Sequence, residues 1–355
     1  MTVLHIASIT TDKFSGVCVA VPQHILAQKS YVNVGFINLT NIPIDRIPNQ
    51  FEYTPNFSIE LLPQPFSEPD LVIFHEIYRF EYLKLSHILR KNNIPYVIIP
   101  HGGLSAEAQK KKRIKKKIAN ILLFNRFVNG AVAIQCLSQR ELESTHFKPQ
   151  KFIGTNGINM PLKQKANFHR DRIVFVYIGR LEVHIKGLDL MLNATNSNAT
   201  LMRCNNVMLD LYGPDWLNRA DEIRTMISEK SIGDIVTLNP AITGKEKEEA
   251  LLDSDMFIQT SRSEGMPMGI LEALGYGIPC LVTRGTNLGE LIEQYDAGWV
   301  AENNASSIAE KINQAICERD KWQMKAVQAR RLIDEHFEWN IIAEKMINKY
   351  SEIIS

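Results

Sequence analysis

Cysteine is scarce in this chain and poorly placed for pairing. Five occur, at Cys18, Cys136, Cys204, Cys280 and Cys317, and no two form a CxxC pair. An odd, scattered set argues against a disulfide framework and against a structural zinc site. Charge imbalance is also missing. Lys and Arg number 40 against 39 Asp and Glu, so no global field draws the chain to nucleic acid, and no nucleic-acid partner is expected. No apolar run approaches the roughly 18 residues that a membrane span needs. The chain opens on the strand-like Val3–Ala7 without a basic, then apolar, leader pattern, so a cytoplasmic setting is the expectation. HExxH, Gly-x-Ser-x-Gly and P-loop patterns are lacking, and no metal site is expected.

What is there is an alternation of short apolar runs and amphipathic segments. Strands are expected at 3–7, 32–38, 71–74, 96–99, 130–136, 173–177, 207–212, 236–238, 256–260 and 280–283. Helices are expected around 17–28, 80–91, 106–126, 138–145, 187–195, 217–230, 245–253, 267–275, 287–294, 304–317 and 321–335, with one more after Phe337. Such alternation implies parallel sheets with crossover helices. The apolar runs are continuous, as in strands covered on both faces. At 355 residues the chain has room for two domains. The polar stretch after Thr155 marks a boundary. The division expected is 1–155, a linker at 156–170, and 171–336, followed by one more amphipathic helix after Phe337. Open parallel sheets bind ligands at the carboxyl ends of their strands, so functional residues should follow strands.

They do. Glu264 and Glu272, eight residues apart, lie in a loop after the strand at 256–260 and in the helix that follows. That helix start offers unpaired N–H groups and a positive dipole end, a natural seat for phosphate. A carboxylate beside it accepts hydrogen bonds from sugar or ribose hydroxyls. By spacing alone, two such glutamates are more often a solvated helix face. The strand at 173–177 runs into Gly179 and Arg180, with Lys186 shortly after. A glycine permits close backbone approach, and the two cations suit a diphosphate. The plainer reading is two surface cations on a loop. Gly213, after the strand at 207–212, is either an ordinary turn or a place where a nucleobase lies against backbone. In the first half, His101 stands at a strand end before Gly102 and Gly103. A lone histidine is more often a satisfied structural residue, and His75 has the stronger claim to that reading. Ser15-Gly16 before the first helix is a weak phosphate signal. Seven of the eight residues from Lys110 to Lys117 are basic. The plain reading is a solvated helix face; the sharper one is a patch for an anionic membrane surface.

In this order and spacing the motifs resemble a retaining GT-B glycosyltransferase of family 4, the glycosyl transferases group 1 class. Glu264 to Glu272 is similar to its E-x7-E signature. Gly179-Arg-Leu with Lys186-Gly-Leu-Asp is similar to its diphosphate motif. Asn156-Gly-Ile, Pro100-His-Gly-Gly-Leu-Ser, Thr283-Arg-Gly-Thr-Asn-Leu-Gly-Glu and Phe337-Glu-Trp resemble further segments, so the likeness covers nearly the whole chain. It implies two Rossmann-like domains facing across a cleft, with a last helix, 337–355, crossing back to pack on the first. It implies a nucleotide-sugar donor (a UDP- or GDP-sugar), no separate cofactor and no metal. Arg180 and Lys186 would hold the diphosphate. Glu272 would take the ribose hydroxyls and Glu264 the sugar hydroxyls. Backbone N–H groups of Gly265, Met266 and Met268 would line the sugar and phosphate. His101 would reach the sugar from the other domain, and Gly16 would sit near the phosphates. The acceptor implied is a glycan or lipid-linked oligosaccharide of cell-surface polysaccharide synthesis. Two departures stand out: Met266-Pro-Met-Gly replaces the usual aromatic-Gly-Leu-Pro, and Ser15-Gly16 replaces Gly-Gly. The rivals are a nucleotide-sugar epimerase or phosphorylase of the same fold, or a non-catalytic partner that binds sugar nucleotide or membrane.

Overall fold

The structure, a computed structural model, describes residues 1–12, 15–104, 123–168, 171–215 and 218–355. They form two compact units: Met1–Gly157 with Trp339–Ser355, and Ile158–Glu338. Unit 1 runs β1 (Thr2–Ala7), α1 (Gly16–Gln28), β2 (Asn33–Asn38), β3 (Gln50–Glu52), β4 (Leu71–His75), α2 (Phe80–Lys91), β5 (Tyr96–Ile99), α3 (Asn125–Asn129), β6 (Ala133–Cys136), α4 (Gln139–Ser144) and β7 (Gln150–Ile153). Unit 2 runs β8 (Ile173–Ile178), α5 (Leu188–Ser197), α6 (Ala199–Cys204), β9 (Val207–Tyr212), α7 (Ala220–Glu229), β10 (Val236–Asn239), α8 (Gly244–Asp253), β11 (Met256–Gln259), α9 (Met268–Gly275), β12 (Cys280–Thr283), α10 (Gly289–Tyr295), β13 (Gly298–Ala301), α11 (Ala305–Cys317) and α12 (Trp322–His336). The chain then returns to unit 1 as α13 (Trp339–Ile354). No helix among the described residues is long and apolar enough to cross a membrane.

Both sheets are parallel throughout, ordered β3-β2-β1-β4-β5-β6-β7 and β10-β9-β8-β11-β12-β13. Every residue of β1, β4, β5, β6, β11 and β12 is buried. That explains their unbroken apolar runs, since helices cover such strands on both faces. The strand order reverses between β1 and β4 in unit 1 and between β8 and β11 in unit 2. Crossovers leave those two points to opposite faces, so each opens a crevice at the strand ends.

Three strands have no counterpart in the sequence expectation: β3, β7 and β13. Each is an edge strand, and β3 and β7 carry too few apolar residues to read as buried runs. The segment read as a polar linker is also more structured than its composition suggests. Ile158 and Phe168 are buried in unit 2. Lys165 reaches the carboxylate of Asp255 at 3.0 Å with both side chains almost wholly buried, and also donates to the carbonyl of Leu252. Asp255 in turn accepts from the backbone N–H of Val174. A buried charge needs that degree of pairing to be tolerated. The basic run Lys110–Lys117 and most of the helix expected at 106–126 lie outside the described residues.

Candidate active site

In unit 2 the site begins where β8 ends. The Gly179 N–H donates to the carbonyl of Tyr212 at 3.0 Å, joining the loops after β8 and β9. A Cβ on Gly213 would lie 1.9 Å from the Gly179 carbonyl oxygen. Only a residue without a side chain permits that approach. Gly213 thus has a definite structural task, whatever it does for a ligand. Tyr177 donates its hydroxyl to the carbonyl of Arg180 at 2.9 Å, which shapes the loop while leaving Arg180 exposed.

Lys186 follows on the turn into α5. Gly187 has φ +65°, and a Cβ there would meet the Thr260 carbonyl oxygen at 2.0 Å. The Thr260 hydroxyl donates to the Gly187 carbonyl at 2.8 Å. This contact ties the β8–α5 turn to the end of β11. It brings the Lys186 ammonium to Glu264, with Nζ 2.7 Å from Oε1 and 3.0 Å from Oε2. Oε1 also accepts from Gln259 Nε2 at 2.7 Å and from the Ser261 hydroxyl at 2.5 Å. The backbone of Glu264 is held as well: its N–H donates to Gly285, and its carbonyl accepts from the Asn287 side chain. Arg262, in the same loop, makes a two-pronged pair with Asp189 of α5, both contacts 2.7 Å. The Lys186 and Glu264 side chains are only 14% and 10% exposed. So the pair is sheltered from the screening that makes surface pairs weak.

Glu272 lies in α9, and Lys247 of α8 is its ion-pair partner. Its buried Oε2 is the oxygen that faces the Lys247 ammonium. Just before α9, the Met268 N–H donates to the Met266 carbonyl at 3.1 Å. Of the three backbone N–H groups expected to face the ligand, that one is therefore already engaged. Those of Gly265 and Met266 have no acceptor among the described residues.

The remaining expected residues belong to unit 1. Gly16 opens α1 and is exposed. Among the described residues nothing lies within 4 Å of where its Cβ would stand. His101 follows β5 in a left-handed turn, φ 49°, before Gly102 at φ +80°. For a histidine that conformation costs about 1–3 kcal/mol and is typical of functional positions. Its Nε2 lies 2.9 Å from Nδ1 of His75, whose Nε2 lies 2.9 Å from Nδ1 of His5. His24 joins the group, bonded to Asn156 at 2.9 Å and packed edge-on to Trp339 of α13. Sequence reasoning finds His101 and His75 singly but not this cluster. The signal that could reveal it is two histidines, His5 and His75, on the strands flanking a reversal of strand order. Gln259, Ser261, Thr260, Gly187 and Lys247 escape it too. Asp253-Ser-Asp255 has the spacing of a DxD triplet, but Asp255 is spent on Lys165 in the core.

Residues 160–331 match the family model described as Glycosyl transferases group 1. This stretch is a glycosyl transferases group 1 domain. Among curated relatives, the putative colanic acid biosynthesis glycosyltransferase WcaL of Escherichia coli is 29% identical over 143 residues, covering 38% of this chain and 34% of the relative. The chain thus matches about a third of that relative's length. Sucrose-phosphate synthase from Thermosynechococcus elongatus superposes with a TM-score of 0.73 at 16% identity, covering 99% of this chain and 98% of that one. HepE of Anabaena, solved in complex with UDP-glucose, gives 0.73 at 17%, covering 99% and 100%. The likeness to these structures is one of fold, the two Rossmann-like units of GT-B glycosyltransferases. The Lys186–Glu264 pair and the Glu272 acceptor both lie inside the group 1 domain.

Burial holds the four clustered histidines neutral. It lowers His5 to about 3, His24 to about 4 and His101 to about 3, and it lowers His75 as well. In the unfolded chain these groups protonate near pH 6.5. Below that the unfolded state binds more protons than the folded one, so stability falls with pH. Full stability is present above about pH 6.5 and is lost as pH drops toward 4 and 3. At pH 5 the loss is about 2 kcal/mol for each of His5 and His24. Urea unfolding at pH 7, 6 and 5 measures it; an unfolding midpoint unchanged across that range would contradict neutral burial.

Proposed function

We propose that this protein is a retaining, metal-independent glycosyltransferase. It moves a sugar from a UDP- or GDP-sugar to a glycan or lipid-linked acceptor in cell-surface polysaccharide synthesis, at the cytoplasmic face of the membrane. The observation that carries this reading is the Lys186–Glu264 pair at the point of strand reversal in a group 1 domain. In this reading the donor lies across the loops after β8 and β11. Arg180 and Lys186 neutralise charge building on the departing diphosphate, the kind of electrostatic term that usually dominates catalysis. The Gly265 and Met266 N–H groups at the start of α9 add to it. Glu272 takes the ribose hydroxyls. Glu264 orients the sugar through its less occupied oxygen, Oε2.

Glu264 is a poor nucleophile on physical grounds: an oxygen already accepting from an ammonium, an amide and a hydroxyl is a stabilised anion and a weak attacking group. That favours departure of the phosphate and entry of the acceptor on one face, with the phosphate oxygen taking the acceptor's proton. The C–O bond to phosphate breaks as the new glycosidic bond forms. Support for the donor class comes from HepE, which is solved with UDP-glucose. Support for the pathway comes from the name of the colanic acid relative.

A panel of UDP- and GDP-sugars, assayed for slow hydrolysis and for transfer to cell-envelope glycolipid, tests the reading. One donor should turn over, and Lys186→Ala should lower kcat about 100- to 1,000-fold, as loss of a charge-stabilising donor does. Conversion of the donor to an isomer without acceptor would point to an epimerase, and binding without turnover to a non-catalytic partner. The membrane part of the proposal rests on Lys110–Lys117. Charge reversal of that run should release the protein from anionic liposomes, and undiminished sedimentation with them would remove it.

A further inference from the structure

In unit 2, α8 follows β10 and α9 follows β11. Both helices therefore start at the carboxyl end of the sheet, where open parallel sheets bind their ligands. Two neighbouring residues of α8 reach across to α9. Glu248 accepts from the hydroxyl of Tyr276, the residue that caps α9, at 3.1 Å. The other oxygen of Glu248 meets the Lys163 ammonium at 2.5 Å. One turn back along α9, on the same face, Glu272 pairs with Lys247.

The second contact is poorly explained as a tie between helices. Glu248 and Tyr276 already make that tie. Lys247 stands in the first turn of α8 (Gly244–Asp253), where the positive end of the helix dipole disfavours a cation. The Lys247 and Glu272 side chains keep 26% and 29% of their surface exposed, and a pair that open to water adds little stability. Its arrangement suits a ligand better. Oε2 of Glu272 is buried and faces the ammonium, so Oε1 is the oxygen left open. The ammonium has three donors, and Glu272 is its one acceptor among the described residues. An open carboxylate oxygen and open N–H donors thus stand side by side. Two adjacent hydroxyls match that pattern, since each can donate and accept.

We propose that Lys247 is a further ligand-binding residue that reads the ribose together with Glu272. One ribose hydroxyl donates to Oε1 of Glu272, and the oxygen of its neighbour accepts from the Lys247 ammonium. The ribose seat at Glu272 is thereby shared between a carboxylate and a cation. That ribose lies at Glu272 rests on the glycosyltransferase reading. The consequence is specificity: each hydroxyl answers to a different side chain, and a nucleotide lacking either one leaves a polar group unmet.

The test is isothermal titration calorimetry of the full chain with UDP and GDP, and with the 2′-deoxy and 3′-deoxy forms of whichever binds. The wild type should bind each deoxy form at least about tenfold more weakly, as for a lost hydrogen bond to a charged group. In Lys247→Met one of the two penalties should disappear and the other remain. Lys247→Ala, which suits a helix best, should repeat that result and serves if the Met variant does not fold. A wild type indifferent to either hydroxyl overturns the proposal without any variant. Both penalties persisting in the variants would overturn it, leaving Lys247 a tie between helices. Tighter ribonucleotide binding by Lys247→Met would do the same, because the ammonium would then compete with ribose for the carboxylate. If neither UDP nor GDP binds, the glycosyltransferase reading and the proposal fall together; in the other adverse outcomes the reading stands and only the proposal falls.

Discussion

A parallel sheet wound outward in both directions has one place where neighbouring crossovers part company. In unit 2 that place lies between β8 and β11, and the contact that organises it is between backbone atoms. Gly187 sits against the carbonyl of Thr260, where no larger residue fits. That approach carries Lys186 to Glu264 and lets Gln259 and Ser261 share the same carboxylate oxygen. The Arg262–Asp189 pair repeats the tie a few residues on. The charges are thus held in place before any ligand arrives, as the proposed chemistry requires.

Unit 1 uses the corresponding reversal differently. Between β1 and β4 it places His5 beside His75, and the end of β5 adds His101. Burial keeps the rings neutral. The strain of a left-handed histidine at 101 is borne by a turn whose next residue is a glycine. Its return is a ring held against His75.

Much of the fold is legible in the sequence because buried parallel strands leave continuous apolar runs. β1, β4, β8, β9, β11 and β12 all stand where those runs predict. β3 and β7 are not legible, because an edge strand has one neighbour and needs few apolar side chains. β13 escapes notice although largely buried, being only four residues long. Helix α6 is hidden by its brevity as well. In the candidate site, Glu264, Glu272, Arg180 and Lys186 are visible because residues at the carboxyl ends of parallel strands can be picked out from the pattern. What stays hidden are partners set by three-dimensional approach. Lys247 on Glu272, Thr260 on Gly187, and the histidine line from His5 to His101 have no spacing rule that reveals them. The Met268 N–H departs from expectation because the residues before a helix can close a tight turn on themselves.

The central claim is that the loops after β8 and β11, with the start of α9, hold a nucleotide diphosphate. Amide hydrogen exchange with and without UDP-glucose and GDP-mannose tests it most directly. The account predicts that one of these ligands protects peptides spanning 179–187 and 261–272. Protection confined to other parts of unit 2, with these two segments unchanged in the presence of a bound ligand, would contradict it.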